Sequence, residues 1–362
     1  MAALCVPAQA VAAVPPSFIG MVADGPIFDP AVNLPGEFDL MTSSGVQAVR
    51  AQFSWEFAQP YPGWAFVPAD QASRFVDEGG IPTDWSRIDA IVSLAAARHL
   101  SLLPVVLFSP GWAAVPPPSL ASPPRDVPAY ARFAAACVRR YGPGGTFWAQ
   151  HPELQAQPIR DWQIWNEPNF RVFWRPKNWP RPYVKLLRAA RASIKAADPG
   201  ARIVLAGLPQ QSWKALAKIY RAGGRGLFDI AAIHPFTSRV SGAVEIVRKG
   251  EDVMRRNHDG SKPVWLTEVT WPSSRGHTNT GFGYEVSESV QAQKLADAFR
   301  TFSRLRRQLR IQRVYWYTWM SPDRSRTYPF DWSGLTTVKG GKVVRKPALA
   351  AFRKAALTLE RR

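Results

Sequence analysis

Cysteine is nearly absent. Cys5 and Cys137 are the only two in 362 residues, so there is no disulfide framework and no cysteine-based zinc spacing. Histidine is also rare. Five are dispersed along the chain without ligand spacing, which disfavours a metal-dependent hydrolase. Acidic residues are outnumbered, with 27 Asp and Glu against 46 Lys and Arg and a net charge of +19. No run of about eighteen apolar residues occurs, so no mature membrane span is expected. No Gly/Ser linker, charge block or shift of composition divides the chain. The first apolar run, Phe18-Met21, is not followed by a Gly-rich turn, which argues against a dinucleotide site.

What is present supports a folded core. Hydrophobic content is 46%, well outside the range of disordered chains. The length suits one large barrel or two ordinary domains. The basic surplus has two readings. An acidic glycan is one; compositional bias with solvated Arg is the other, and we adopt it. No nucleic-acid module is present, and the aromatics cluster at strand ends rather than between basic residues. Residues 1–14 are small and apolar, with Ala8-Gln9-Ala10 and Val11-Ala12-Ala13 resembling the cleavage end of a secretory signal. Residues 1–16 therefore read as a leader remnant or, because a basic start is lacking, as an ordinary flexible terminus; the leader reading, which we adopt, places the mature protein outside the cell or in its envelope. Cys5 would leave with it, and Cys137 reads as a small buried hydrophobe on a helix.

Strand-like runs alternate with helical patterns. The strands are Phe18-Met21, Ala48-Phe53, Leu102-Phe108, Asp161-Trp165, Arg202-Ala206, Ile230-Ile233, Val264-Thr267 and Val314-Thr318. Helical segments between them include Trp85-Arg98, Ala129-Arg140, Pro182-Ala197, Lys214-Ala222, Ala243-Arg255 and Ser289-Leu309. Alternating β and α implies a parallel sheet with crossover helices. Eight apolar runs fit an α/β fold of the closed (β/α)8 TIM-barrel type, filling residues 17–362 as one domain. The loop from Glu56 to Pro82 is long and rich in Pro, Gly and aromatics. Loops of that length are usually functional.

Two strands end alike. Trp162 to Trp165 is an apolar and aromatic run that stops at Asn166-Glu167-Pro168, because Pro168 cannot donate to a ladder. Val264-Trp-Leu-Thr-Glu268 ends similarly, with Trp271-Pro272 after it. Barrel enzymes keep their chemistry at the carboxyl ends of strands. Two strand-end carboxylates suggest a pair flanking a glycosidic bond. Arg50 lies inside an apolar strand, where an unpaired cation is costly.

These motifs carry a resemblance. Trp165-Asn166-Glu167-Pro168 resembles the acid/base motif of clan A glycoside hydrolases. Trp265-Leu266-Thr267-Glu268 resembles the nucleophile strand of that clan. Within the clan the chain is most similar to glycoside hydrolase family 39 and its bacterial relatives, over roughly Phe18 to Phe352. The resemblance implies an O-glycosyl hydrolase that retains configuration, working on an oligo- or polysaccharide without cofactor or metal. It makes Glu268 the nucleophile and Glu167 the acid/base. It puts Arg50 beneath the nucleophile, Asn166 on the sugar 2-hydroxyl, and His234 beside the acid or the substrate. It makes Trp319 the sugar platform, and Trp112 suits a second sugar face. The chain departs from the clan two residues after His234. Many members carry a Tyr there that bonds the nucleophile; this chain has Phe236. Either Tyr317 or Tyr284 supplies that bond, or Glu268 goes without it. A transglycosylase and a glycan-binding pseudoenzyme are the competing readings.

Overall fold

In the computed structural model, residues 13–360 are described; residues 1–12 of the leader-like segment, with Cys5, lie outside them. Eight parallel strands form the centre. They are β1 (Ile19–Ala23), β2 (Ala48–Ser54), β3 (Ser101–Leu107), β4 (Asp161–Ile164), β5 (Arg202–Val204, continued by Leu208–Pro209), β6 (Ala231–His234), β7 (Val264–Val269) and β8 (Ile311–Trp316). Neighbours in sequence are neighbours in the sheet, and β8 pairs with β1. Around the broken fifth strand, the first piece pairs with β4, the second pairs with β6, and Val204 bridges Ile230. The result is a (β/α)8 barrel.

Eight helices cross between or follow these strands: α1 (Leu34–Ser43), α2 (Ser86–Ala96), α3 (Val127–Tyr141), α4 (Pro180–Ala197), α5 (Ser212–Arg221), α6 (Val240–Arg256), α7 (Glu288–Leu305) and α8 (Pro347–Glu360). Their ends have local causes. Asp126 accepts from the Ala129 backbone N–H and caps α3, satisfying one of the donors that a helix start leaves free. Ser287 caps α7 through Val290 in the same way. Asp84 accepts from the Ser86 backbone N–H and orders the entry to α2. The sequence pattern had not marked α1 or α8. Cys137 is a free thiol buried inside α3.

The barrel lumen is filled, not open. Val22, Ala48, Leu103, Val204, Ala232, Trp265 and Tyr315 pack together there, drawn from most of the strands. Such layers of inward side chains make a barrel interior a core. Gly20 on β1 has a packing reason: a Cβ there would lie 2.4 Å from the Tyr315 ring. The amino-terminal end is closed by ions. Arg202 and Arg313 both pair with Asp161, and the Arg313 guanidinium stacks on Trp265. Chemistry is thereby left to the other end.

The basic surplus has a place in this fold. Helix α4 carries five Lys or Arg and α5 carries three, and neither has an Asp or Glu. These are crossover helices, on the outside of the barrel.

Candidate active site

In a regular strand, successive side chains point to opposite faces. The chain after β4 breaks that rule. Trp165 has φ +68° and Glu167 has φ +40°, left-handed conformations that cost a non-glycine residue roughly 1–3 kcal/mol. They are held by their surroundings. The Trp165 indole is fully buried, edge-on to Trp174, and donates to the Phe173 carbonyl at 3.0 Å. The Glu167 backbone N–H donates to the Gly207 carbonyl at 3.1 Å. Two consecutive side chains, Asn166 and Glu167, can then both face the cleft.

A register slip does the same on β7. Its pairing with β8 shifts between Leu266 and Val269, an irregularity that re-aims side chains. Thr267 and Glu268 both reach into the site. Arg50, buried on β2, joins the two halves. Its Nη1 donates to Glu268 Oε1 at 2.8 Å, its Nη2 to Asn166 Oδ1 at 2.8 Å, and its Nε to Gln163 Oε1 at 2.7 Å. A buried ion pair adds little net stability, because both ions lose their water.

His234 is fully buried at the end of β6. Burial and the Arg50 charge push its pKa well below the ordinary histidine value, so the imidazole is neutral and its contacts are hydrogen bonds. Nδ1 lies 2.7 Å from Glu167 Oε1, and Nε2 lies 3.0 Å from Thr267 Oγ1. Gly207 makes room for the ring: a Cβ there would fall 1.9 Å from His234 Nε2.

The two carboxyls are tuned apart. Burial and the charge of Glu268 hold Glu167 well above the usual carboxylate range. Burial raises Glu268 to about 7, with Arg50 opposing the rise and Asp24 adding to it. One oxygen of each carboxyl lies within 4.8 Å of the other and of a His234 nitrogen. Both line a cavity of about 300 Å³. It shares Asp24, Gln52, Tyr317 and Phe330 with an adjoining groove of about 1440 Å³.

Comparison with known proteins follows this geometry. No family model matches the chain, and no curated protein matches it. Solved structures do. A family 39 glycoside hydrolase from the gut symbiont Bacteroides cellulosilyticus WH2 superposes with TM-score 0.66 at 17% identity, over 95% of this chain and 64% of that one. A monomeric beta-xylosidase from Caulobacter crescentus CB15 gives TM-score 0.63 at 16% identity, over 94% of this chain and 68% of that one. The GH53 catalytic domain of Ignisphaera aggregans gives 0.55 at 19%, covering 94% and 92%. The fold is that of the glycoside hydrolase barrels. The chain spans 64% of the family 39 enzyme's length.

Five of the residues singled out from sequence come together: Arg50, Asn166, Glu167, His234 and Glu268. Two do not. Trp319 is fully buried, and its Nε1 donates to Glu37 Oε2 at 2.6 Å. It points into the packing under α1 and offers no face to a sugar. Trp112 lies outside the cavity, edge-on to Trp55, with its Nε1 on the Gln59 carbonyl. The aromatic wall is made instead by Phe236, Phe282, Tyr284, Tyr317, Tyr328 and Phe330. Most of these sit in loops after β7 and β8, where no periodicity marks them. The Glu56 to Pro82 loop contributes Glu56, Phe57, Ala58, Pro60 and Arg74 to the groove.

Tyr317 and Tyr284 line the cavity, yet among the described residues no tyrosine hydroxyl bonds Glu268. Arg50 is its hydrogen-bond donor. Asp24, at the end of β1, was not read from the sequence; an Asp before Gly25-Pro26 looks like a turn residue. Gln163, Thr267 and Gly207 were also missed, since each acts only through a partner distant in sequence.

The trio of Glu167, His234 and Glu268 has donor types that could hold a divalent ion. The arrangement fits one poorly. His234 Nδ1 is already bonded to Glu167, and the Arg50 guanidinium sits 2.8 Å from Glu268. A second cation there would meet that charge in a low-dielectric site.

Proposed function

We propose that this protein is a retaining O-glycoside hydrolase acting on an oligo- or polysaccharide. One observation carries the reading: two buried strand-end carboxyls whose nearest oxygens lie within 4.8 Å, with Glu167 the more strongly protonated. Retaining enzymes hold their carboxyls about 5–5.5 Å apart, whereas inverting enzymes need about 6.5–9.5 Å to admit a water. Pairs of carboxyls pushed to different pKa values divide into acid and base roles.

The roles follow. Glu268, ionised and held by Arg50, attacks the anomeric carbon and forms a glycosyl-enzyme. Glu167 gives its proton to the leaving oxygen. It then takes a proton from the incoming water, which attacks the same carbon and releases Glu268. His234, neutral, bonds Glu167 through either protonation state. It accepts from the acid through Nδ1, or donates to the carboxylate when the proton sits on that nitrogen. Asn166, fixed by Arg50, presents its amide N–H groups to the sugar 2-hydroxyl. Transfer to a sugar in place of water uses the same residues, so a transglycosylase remains the alternative. A pseudoenzyme has no use for two differently tuned carboxyls.

The test is substitution on an aryl glycoside found by screening. Glu268→Ala should abolish both steps, and azide should rescue it with inverted product. Glu167→Ala should keep the first step on good leaving groups, and azide should give retained product. Swapped stereochemistry would exchange the two roles. Unchanged activity in both variants would sink the site.

The charge of +19 enters little into this reading, because its densest patches lie on α4 and α5 outside the barrel. Localisation outside the cytoplasm rests on the leader-like composition of residues 1–14. Recovery of the protein only from the cytosolic fraction of its producing cell would refute it.

A further inference from the structure

The catalytic cavity is poor in positive charge. Three carboxyls face it, from Asp24, Glu167 and Glu268, and Arg50 is the one cation among the described residues that line it. All three Arg50 nitrogens are committed to acceptors. A carboxylate brought in on a sugar would meet the charges of Glu268 and Asp24 in a site where charges are weakly screened. The one cation there already pairs with Glu268 and spends three of its five N–H donors on Glu268, Asn166 and Gln163.

Asp24 is the member without a catalytic role. It ends β1, so β8 alone separates it from the Glu268 strand, while Glu167 sits across the ring on β4. It lines both the cavity and the adjoining groove. Oδ1 accepts from the Thr318 hydroxyl at 2.7 Å. Among the described residues none hydrogen-bonds Oδ2. Burial raises its carboxyl above the ordinary aspartate range, with Thr318 and Arg50 opposing the rise. A half-satisfied carboxylate at the wall of a cavity is matched by a ligand that brings O–H donors.

We propose that Asp24 determines specificity in the pocket for the sugar that is cleaved, accepting a ring hydroxyl on Oδ2, and that this sugar is neutral and not a uronic acid. The proposal rests on the glycosidase reading and narrows its substrate class. The leaving group must lie on the Glu167 side. The cleaved sugar then lies over Glu268 toward β8 and β1, where Asp24 waits. The groove beyond is mixed in sign: Arg74 pairs with Asp84, and Arg87 stacks on Phe57. Acidic units, where a polymer has them, can sit there and not in the cavity.

The experiment has two arms. The first uses the wild-type enzyme and needs no variant. Nitrophenyl glycosides of neutral sugars are compared with the uronides of the same configuration. The expected result is turnover of a neutral glycoside, with its uronide at least about tenfold slower. A preferred uronide overturns the proposal and leaves the glycosidase reading intact. No turnover of either kind removes the glycosidase reading and this inference with it. The second arm takes the best neutral substrate and its singly deoxygenated analogues. Wild type should lose about 10- to 100-fold in kcat/KM on one analogue, the worth of a hydrogen bond to a charged group. Asp24→Asn should lose a similar factor on the parent sugar and little more on that analogue. An equal loss on the parent and every analogue would mean that Asp24 only holds Thr318, and would overturn the assignment.

Discussion

Arg50→Met tests the electrostatics of the site most directly. Methionine nearly fills the guanidinium's volume but removes its charge and three hydrogen bonds. In the intact site, burial raises Glu268 to about 7 against the opposing pull of Arg50. At pH 7 about half of the enzyme therefore has the nucleophile ionised. An adjacent Arg commonly lowers a carboxyl pKa by about 1–3 units. Without it, the ionised fraction at pH 7 falls to between roughly one in eleven and one in a thousand. The expected loss in kcat/KM is therefore roughly 5- to 500-fold at pH 7, recovering in part as pH rises. The assay is a pH profile of kcat/KM on an aryl glycoside with a good leaving group, which needs little help from Glu167. The acidic limb should move up by about 1–3 units. Breaking one side of a buried ion pair costs about 3–5 kcal/mol, so thermal melts of the variant must accompany the kinetics. A folded variant with its acidic limb in the wild-type position would refute the reasoning. Arg50 would then serve only to place Asn166, and the loss would be independent of pH.

Two further outcomes follow from the same contacts. Gly207→Ala would put a methyl 1.9 Å from His234 Nε2, so the imidazole and Glu167 must shift. A misplacement of about 1 Å can cost on the order of 100-fold, and the loss should be larger on poor leaving groups, which need the acid. Equal losses on all leaving groups would contradict a positioning role. Against wild type, Glu167→Gln with Glu268→Gln should gain in stability as pH rises, on top of a pH-independent loss from leaving Arg50 unpaired. Both carboxyls titrate higher when folded than the ordinary value of 4.5. The folded state thus holds protons that the unfolded state has released, and stability is lost as pH climbs from about 4.5 through and beyond 7. Each tenfold difference in proton affinity is worth about 1.4 kcal/mol. The double variant's Tm relative to wild type should therefore rise between pH 4.5 and pH 8, and a constant difference would rule this out.

The parts legible in the sequence were those tied to strand ends. Glu167, Glu268, Asn166, Arg50 and His234 are polar residues in or just after apolar runs, where burial demands a reason. Strand order also came through, because most of the apolar runs are followed by a helical pattern. The aromatics were misread because residue type does not say which way a ring points. At the end of β8, Tyr317 lines the cavity, while Trp319, two residues later, turns back to Glu37. The rim residues Phe282, Tyr328 and Phe330 lie in loops, where neither the helical nor the strand period applies. Asp24 carries its meaning only once β1 and β8 are neighbours.

The groups proposed for catalysis sit where the barrel departs from regularity. Regular strands would send Asn166 and Glu167 to opposite faces, and likewise Thr267 and Glu268. Left-handed backbone at Trp165 and Glu167 undoes the first alternation, and the slipped register of β7 against β8 undoes the second. A glycine on the broken fifth strand lets His234 approach closely enough to bond both segments. Each departure costs energy and is held in place by regular structure nearby: Trp165 by Trp174 and the Phe173 carbonyl, and β7 by Trp265 in the filled lumen. The division of labour has a physical reason. A strand can deliver one side chain in two to a site, and the double displacement proposed above needs donors, carboxyls and their partners crowded within a few ångströms. Only breaks in the strand pattern can supply neighbours from one segment. The rigid lumen beneath keeps those breaks from relaxing, and that makes the carboxyl separation a stable feature on which the choice between retention and inversion can rest.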